Sequence, residues 1–279
     1  MSQPPRSGPR IFAILNLTED SFSDGGHHLD PPAAIAEARR LAASGADVID
    51  IGAAASNIAA KPVPPEQEIR RLAPVIAALR ADGIAVSVDS FTPETQRFAL
   101  AQRVDFLNDI QGFPDSGLYP DLAVSNSRLI VMHAVQGRGR ARRIPVPAVE
   151  IWPRIEAFFA ARIAALEAAG IARDRLVLDP GMGFFLSSDP RASLRALAEI
   201  GRLKRAFALP VMISVSRKSF LGALTGGKAT AELGPATLAA ELYAAAQGAD
   251  CIRTHDPGAL RDGLRVMAAL NDEQGSAHR

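Results

Sequence analysis

The sequence predicts an α/β protein, a single (β/α)8 TIM barrel, on three observations. Short apolar runs recur along the chain, each about strand length and each closing on polar residues. Between most of them lie Ala-, Leu-, Arg- and Glu-rich stretches with helical spacing. Eight such units in about 260 residues match the size of that fold. An open, doubly wound sheet is the alternative. It would carry a glycine-rich phosphate turn after its first strand, and none follows Ile11–Asn16.

In order, the expected strands are Ile11–Asn16, Asp47–Gly52, Ile84–Asp89, Val104–Asp109, Arg128–His133, Arg175–Asp179, Val211–Ser216 and Cys251–His255. Their continuous Val, Ile, Leu and Phe content suits parallel strands covered on both faces. Helices are expected over Ala33–Ala43, Glu66–Arg80, Ile155–Ala169, Ser193–Phe207, Thr237–Gln247 and Ala259–Leu270. Gly45, Gly83, Gly170 and Gly248 fall just past four of them, where helix C-termini favour glycine. Gln136–Pro147, with four arginines and two prolines, reads as a mobile loop. The loops Asn16–Gly26 and Ala53–Pro65 are too long for simple turns and read as lids over the barrel mouth after strands 1 and 2. Residues 11–272 are therefore expected to form one domain, with a flexible leader at 1–10 and a flexible tail at 273–279.

Composition removes several classes of function. The 279 residues carry 31 Lys and Arg against 30 Asp and Glu, a net charge of +1. That near-balance gives no bulk attraction for nucleic acid or an anionic membrane. One cysteine, Cys251, cannot form an internal disulfide and sits in an apolar strand as a small hydrophobe. No apolar run approaches the roughly 20 residues that cross a bilayer, and the leader lacks the apolar stretch of a signal peptide. A soluble, cytoplasmic protein is expected. His27 and His28 have no ligand partners at zinc spacing, and no nucleophile elbow is present.

The polar strand ends carry the chemistry: Asn16, Asp50, Asp89, Asn108 with Asp109, His133, Asp179, Ser216 with Lys218, and Arg253 with His255. A single Asp after a strand is an ordinary helix cap or turn residue. Six or more strands ending this way are another matter, because a barrel gathers those ends around one pocket. Asp89, Asn108, Asp179 and Lys218 offer the acceptors and donors for a flat heterocycle with a guanidine-like edge, and a carboxylate such as Asp179 can take two parallel N–H bonds. Arg253 and His255, two apart on one strand, share a face and favour an anion; an ion pair with a neighbouring acid is their bland reading. Lys218 is one of only four lysines in the chain, set in Ser216-Arg217-Lys218-Ser219. Ser219 opens the following helix, where free N–H groups suit a carboxylate or phosphate. Asn16 and Asp24 offer oxygen ligands for Mg²⁺ bridged to phosphates.

The motifs NLTEDSFSDGG (16–26), ADVIDIG (46–52), VSVDSF (86–91), FLNDI (106–110), VMH (131–133), LDPGMGF (178–184), SVSRKSFLG (214–222) and IRTH (252–255) resemble dihydropteroate synthase. The likeness runs in order from about residue 11 to residue 270. It implies a TIM barrel that joins 6-hydroxymethyl-7,8-dihydropterin pyrophosphate to 4-aminobenzoate and releases pyrophosphate in folate synthesis. Carried over by motif, Asp89, Asn108, Met132, Asp179, Lys218 and Arg253 would hold the pterin. Asn16, Ser56, Arg253 and His255 would engage the pyrophosphate, with Mg²⁺ on Asn16. Ser56, Phe184, Phe185 and Ser219 would take the aminobenzoate. Asp24, Lys218, Arg253 and His255 would be the catalytic set, and a homodimer through Thr237–Gln247 and Ala259–Leu270 is implied by the same analogy.

The chain departs from the family's usual second loop. Where most members read Glu-Ser-Thr-Arg-Pro-Gly, it has Ala54-Ala55-Ser56-Asn57-Ile58-Ala59, so Asn57 stands at the Arg position. With the aromatic Gly183-Phe184-Phe185-Leu186, this resembles the sulfonamide-resistance (Sul-type) branch. There Phe184 or Phe185 is expected to crowd the space beyond the aminobenzoate ring, against the drug's sulfonyl substituent. Filling core is the other role open to them. Two further functions stay open: a pterin-dependent methyltransferase on the same barrel, opposed by Asn16 and the SRKS segment, and a non-catalytic pterin-binding paralogue, favoured by Asn57.

Overall fold

The structure is a computed structural model that describes residues 8–18, 30–55, 58 and 61–277, the last four as backbone alone. Eight parallel strands form one sheet: β1 (Arg10–Asn16), β2 (Val48–Gly52), β3 (Val86–Asp89), β4 (Phe106–Asp109), β5 (Arg128–Met132), β6 (Leu176–Asp179), β7 (Met212–Ile213) and β8 (Cys251–Thr254). Their order is β6-β5-β4-β3-β2-β1-β8-β7. A bridge between Leu178 and Val211 joins the two edges and closes the cylinder, so the barrel, not the open sheet, is the fold.

Ten α-helices wrap the described barrel: α1 (Pro31–Ala43), α2 (Pro65–Ala81), α3 (Pro93–Ala101), α4 (Tyr119–Val124), α5 (Ile151–Ala168), α6 (Pro190–Ala198), α7 (Ile200–Phe207), α8 (Ser219–Leu224), α9 (Gly234–Ala246) and α10 (Pro257–Ala277). Three of these, α3, α4 and α8, are too short for periodicity to reveal. The helix expected over Ser193–Phe207 is two: the chain breaks at Glu199 (φ −116°, ψ 24°) beside Gly201, a poor helix former. α10 continues to Ala277, where the sequence suggests a tail from 273, and β1 takes in Arg10 from the expected leader. β7 is shorter than expected, because residues 214–216 already turn toward α8. Residues 136–147 carry no helix or strand.

Alternation along the strands builds two cores. Outward residues such as Ile11, Ile49, Val88, Leu107, Val131, Leu178, Ile213 and Ile252 pack beneath the helices in the main core. Inward residues form a separate belt across the lumen: Phe12, Val48, Phe106, Ile130, Val177, Met212 and Cys251. Phe12 and Phe106 meet edge to face at 4.9 Å at its centre, an arrangement aromatic rings favour.

The lower rim is tied by one recurrent device. Asp47, Asp105 and Asp250 each precede a strand, and each carboxylate accepts the backbone N–H of a residue entering the neighbouring strand: Ile11 at 2.9 Å, Val86 at 2.9 Å and Val211 at 2.8 Å. Arg261 and Lys204 add ion pairs to Asp47 and Asp250. These bonds satisfy strand N–H groups where the ladder starts. They also fix the register that aims every side chain above.

Candidate functional site

Residues two apart on a strand share a face, so the layer above the apolar belt is already determined. It holds Ile14, Asp50, Ser87, Asn108, Met132, Asp179, Ser214 and Arg253, and all but Arg253 are buried. Asn16 and Asp89 stand one step higher. Register sets Asn16, Gly52, Asp89 and Asn108 side by side on β1 to β4, and Met132 beside Asp179 on β5 and β6. A polar layer thus lies directly on a greasy floor. Among the described residues, three of its buried atoms, Asp50 Oδ1, Ser87 Oγ and Asn108 Oδ1, have no hydrogen-bond partner. Unmatched buried polar atoms are costly, and their grouping at one mouth marks a surface built for a polar guest.

Arg253 organises the centre. Its Nε donates to Asp50 Oδ2 at 2.5 Å and its Nη2 to Asp89 Oδ2 at 2.7 Å. The ion pair foreseen as the bland reading is therefore present, and the guanidinium is held from below. Burial lowers its pKa, but Asp50 and Asp89 more than restore it, and it remains charged. Asp89 is pushed up by burial, drawn down by Arg253 and raised again by Asp50. Asp179 is pushed up to about 6 by burial, against the Gly181 N–H, Lys218 and Arg253; its Oδ1 accepts that N–H at 2.8 Å. Only a residue without Cβ fits at 181, since a Cβ there would collide with the His133 carbonyl.

Lys218 closes the ring of charges. Burial and the Arg253 cation lower its pKa to about 8, while Asp179 and Asp89 oppose the fall. Its Nζ lies 5.0 Å from the centre of the Phe185 ring, a cation–π contact. Ser219 is the exposed first residue of α8, and a Cβ on Gly183 would stand 3.5 Å from its hydroxyl. The Gly183–Phe185 turn and the SRKS segment are therefore neighbours. The two phenylalanines separate: Phe185 is buried beneath Lys218, while Phe184 stays half-buried with Arg143 over its ring at 5.4 Å.

His255 is neutral, held down at about 3 by burial and by the cations Arg217, Arg253 and Lys218. Ser216 Oγ accepts the His255 backbone N–H at 3.2 Å and sits 2.8 Å from its Nδ1. Where that hydroxyl donates to Nδ1, the ring proton sits on Nε2. His255 can thus offer an anion a hydrogen bond but not a charge, and the cationic part of the expected anion site rests on Arg253. Arg217, not singled out by the sequence, supplies charge nearby; its positive φ of 57° belongs to the turn that presents Lys218.

Two strand-end residues serve the scaffold. Asp109 accepts from Gln111 N, Phe113 N and Gln96 Nε2 and anchors the turn after β4. His133 Nδ1 bonds the Pro180 carbonyl at 3.0 Å, and burial lowers its pKa to about 4. Asp24, Ser56 and Asn57 lie outside the described residues. Beside the mouth, Glu68 accepts from Ser90 and Thr92 and lines a 270 Å³ cavity with Lys61, Phe91 and Arg140.

Among the described residues, no three His, Cys, Asp or Glu side chains gather as a metal site. Asn16, exposed at the end of β1, is a lone amide oxygen. That suits Mg²⁺, which keeps most of its shell in water and substrate oxygens.

Comparison with known proteins agrees with this geometry. Residues 12–255 match the family model described as pterin binding enzyme. The chain is 60% identical over 262 residues to dihydropteroate synthase type-2 of Escherichia coli, covering 94% of this chain and 96% of that one. The Xanthomonas albilineans dihydropteroate synthase with 4-aminobenzoic acid superposes with a TM-score of 0.87 at 36% identity, covering 95% of this chain and 94% of the other. The same enzyme in complex with 7,8-dihydropteroate gives a TM-score of 0.82 over the same shares at 36% identity.

Proposed function

The chain belongs to the dihydropteroate synthase family of pterin-binding enzymes, and from that premise we propose how its own residues make 7,8-dihydropteroate from the pterin pyrophosphate and 4-aminobenzoate. The observation that carries the reading is the charged ring at the mouth, in which Asp89, Asp179, Lys218 and Arg253 act on one another electrostatically over a layer of unmatched polar atoms.

Asp179 accepts the exocyclic amine and adjacent ring N–H of the pterin through two parallel bonds. Asn108 supplies its unpaired Oδ1 to another ring edge, Lys218 donates to the ring carbonyl, and Met132 packs beside Asp179. Arg253, fixed by Asp50 and Asp89, lies against the ring and faces the pyrophosphate; His255 donates from Nε2. Asn16 would hold Mg²⁺, which would supply further neutralisation of the pyrophosphate's charge, and Asp24 completes the assigned catalytic set. As the C–O bond to pyrophosphate breaks, both electrons leave with the oxygen. The pterin methylene becomes electron-poor, and the neutral arylamine attacks it and then loses a proton to solvent. Nothing in this sequence asks for a strong base; the residues orient the partners and stabilise the departing charge.

The aminobenzoate carboxylate takes the Ser219 hydroxyl at the start of α8, and Ser56 is the second hydroxyl assigned to it. Phe184 stands at the edge of that space and favours the compact carboxylate over a substituted sulfonamide, which makes the enzyme drug-insensitive. We place the enzyme in the cytoplasm and its second copy on the apolar groove between α6, α8 and α9, where Leu224 and Tyr243 are 53% and 46% exposed around a 520 Å³ hollow. α10, the other helix expected there, lies beside α9, its Gly263 against Leu238 and Leu242 and its Val266 and Leu270 exposed. Pyrophosphate release with both substrates tests the activity: turnover by the wild type and its loss in Lys218→Ala supports it, and an inactive wild type refutes it.

A further inference from the structure

A cavity of about 850 Å³ lies at the opposite end of the barrel. Its wall includes Arg10, Arg97, Arg103 and Arg128 against only two carboxylates, Asp105 and Asp121. Both acids are engaged: Asp121 pairs with Arg97 at 2.9 Å, and Asp105 caps Val86. Three guanidinium groups remain.

Arg10 and Arg128 sit two residues below Phe12 and Ile130, so the alternation that aims Asp50 and Arg253 upward aims these two into the lumen from beneath. Their guanidinium carbons lie 5.5 Å and 5.8 Å from the centre of one ring, Phe106. Both also act on the Cys251 thiol at the floor of the lumen. Among the described residues, neither makes an ion pair or a side-chain hydrogen bond, and Arg103 makes none either. Two like charges drawn to one ring from strands on opposite sides of a barrel repel each other. The stack on Phe106 offsets part of that repulsion and leaves every N–H donor unused.

Arg103 adds an independent observation. Two residues past the ends of α1, α2, α5 and α9 the chain places Gly45, Gly83, Gly170 and Gly248, all with positive φ. Past α3, the same position holds Arg103 at φ 55°. A side chain there is strained where glycine is not, yet at this one corner the chain keeps an arginine, and it lines the cavity.

We propose that the lower mouth of the barrel is a second binding site, for a small phosphate-bearing anion, gripped by Arg10, Arg103 and Arg128. Planar guanidinium forks match phosphate oxygens in pairs, and a cavity of this size admits the phosphate either free or as an ester. The site is separate from the catalytic mouth, with the Phe12–Phe106 floor between them.

Calorimetric titration of the full chain at fixed ionic strength tests it, with inorganic phosphate and glycerol 2-phosphate as probes. Saturable binding is expected, about tenfold weaker in Arg10→Gln and in Arg128→Gln, and kept in Lys218→Ala; the tighter probe tells whether the phosphate arrives free or esterified. Arg103→Gly, which relieves the positive φ and so keeps the fold, is expected to weaken phosphate about threefold even if the strand variants fail to fold. Absence of saturable binding, wild-type affinity in all three arginine variants, or binding that disappears only with Lys218→Ala overturns the proposal.

Discussion

Arg253 on β8 and Asp89 on β3 are joined across the barrel mouth by a 2.7 Å bond, although 164 positions separate them in the chain. With Asp50 beneath, the pair works as a strut under the substrate's place. A buried ion pair is weak evidence of net stability, but removing one partner exposes the other's full desolvation cost. Asp50→Ala is therefore expected to lower unfolding free energy by about 3–5 kcal/mol, with Asp50→Asn milder because it retains an acceptor. Urea unfolding of the two variants checks this; equal midpoints for wild type and Asp50→Ala would show that the strut carries no weight.

In the proposed reaction Asp179 contributes recognition, besides holding the Gly181 turn. Asp179→Asn replaces one acceptor by a donor facing the pterin's own N–H groups. A loss of about 3 kcal/mol, or about a hundredfold in kcat/KM for the pterin substrate, is expected. The KM for 4-aminobenzoate should stay within about threefold, since that substrate does not touch Asp179. Steady-state kinetics with each substrate varied in turn separates the two.

The pH profile follows from the same groups. Asp179 accepts two parallel N–H bonds only when ionised, so kcat/KM falls as pH drops through about 6. Lys218 donates as a cation, so activity also falls as pH rises through about 8. Lys218→Arg places a permanently charged group there and should push the alkaline limb upward while the acid limb stays. A wild-type profile flat from pH 5 to 9 would contradict both assignments.

Glu241 on α9 is buried and its pKa is pushed up to about 8 from 4.5, chiefly by burial, against a bond from Thr254. A raised folded-state value means the contribution to stability is fully present below pH 4.5 and is lost as pH rises to about 8. Glu241→Gln has no proton to lose. It should gain a few kcal/mol over the wild type at pH 8, about one for each unit of the shift, and nothing at pH 4. Denaturant midpoints at the two pH values measure that difference.

Drug discrimination is read from growth. A host lacking its own enzyme and carrying this gene should grow in sulfamethoxazole. Phe184→Ala, which opens the half-buried side of the pocket, should lower the inhibitory concentration by about tenfold. Sensitivity of the wild-type gene would remove the discrimination and leave the synthase activity untouched.

Much of this was legible in the residues. Hydrophobic runs with polar ends marked all eight strands, and the same two-residue alternation that put Phe12 and Val48 inside put Asp50 and Arg253 above them. Three things were not legible. Short helices such as α8 hold too few turns to show a period. The break at Glu199 depends on packing that the helical pattern does not encode. And whether a polar strand end faces substrate or scaffold is a tertiary matter: Asp109 and Asp89 have the same kind of neighbours in sequence, yet one anchors its own turn while the other braces Arg253.

The belt of Phe12, Val48, Phe106, Ile130, Val177, Met212 and Cys251 has a genetic consequence. Because floor and chemistry follow each other along a strand at a fixed two-residue pitch, adding or deleting one residue inside β8 would turn Ile252 into the lumen and Arg253 outward among the helices. A like-for-like exchange within a strand disturbs one side chain, whereas a change of spacing displaces every one beyond it.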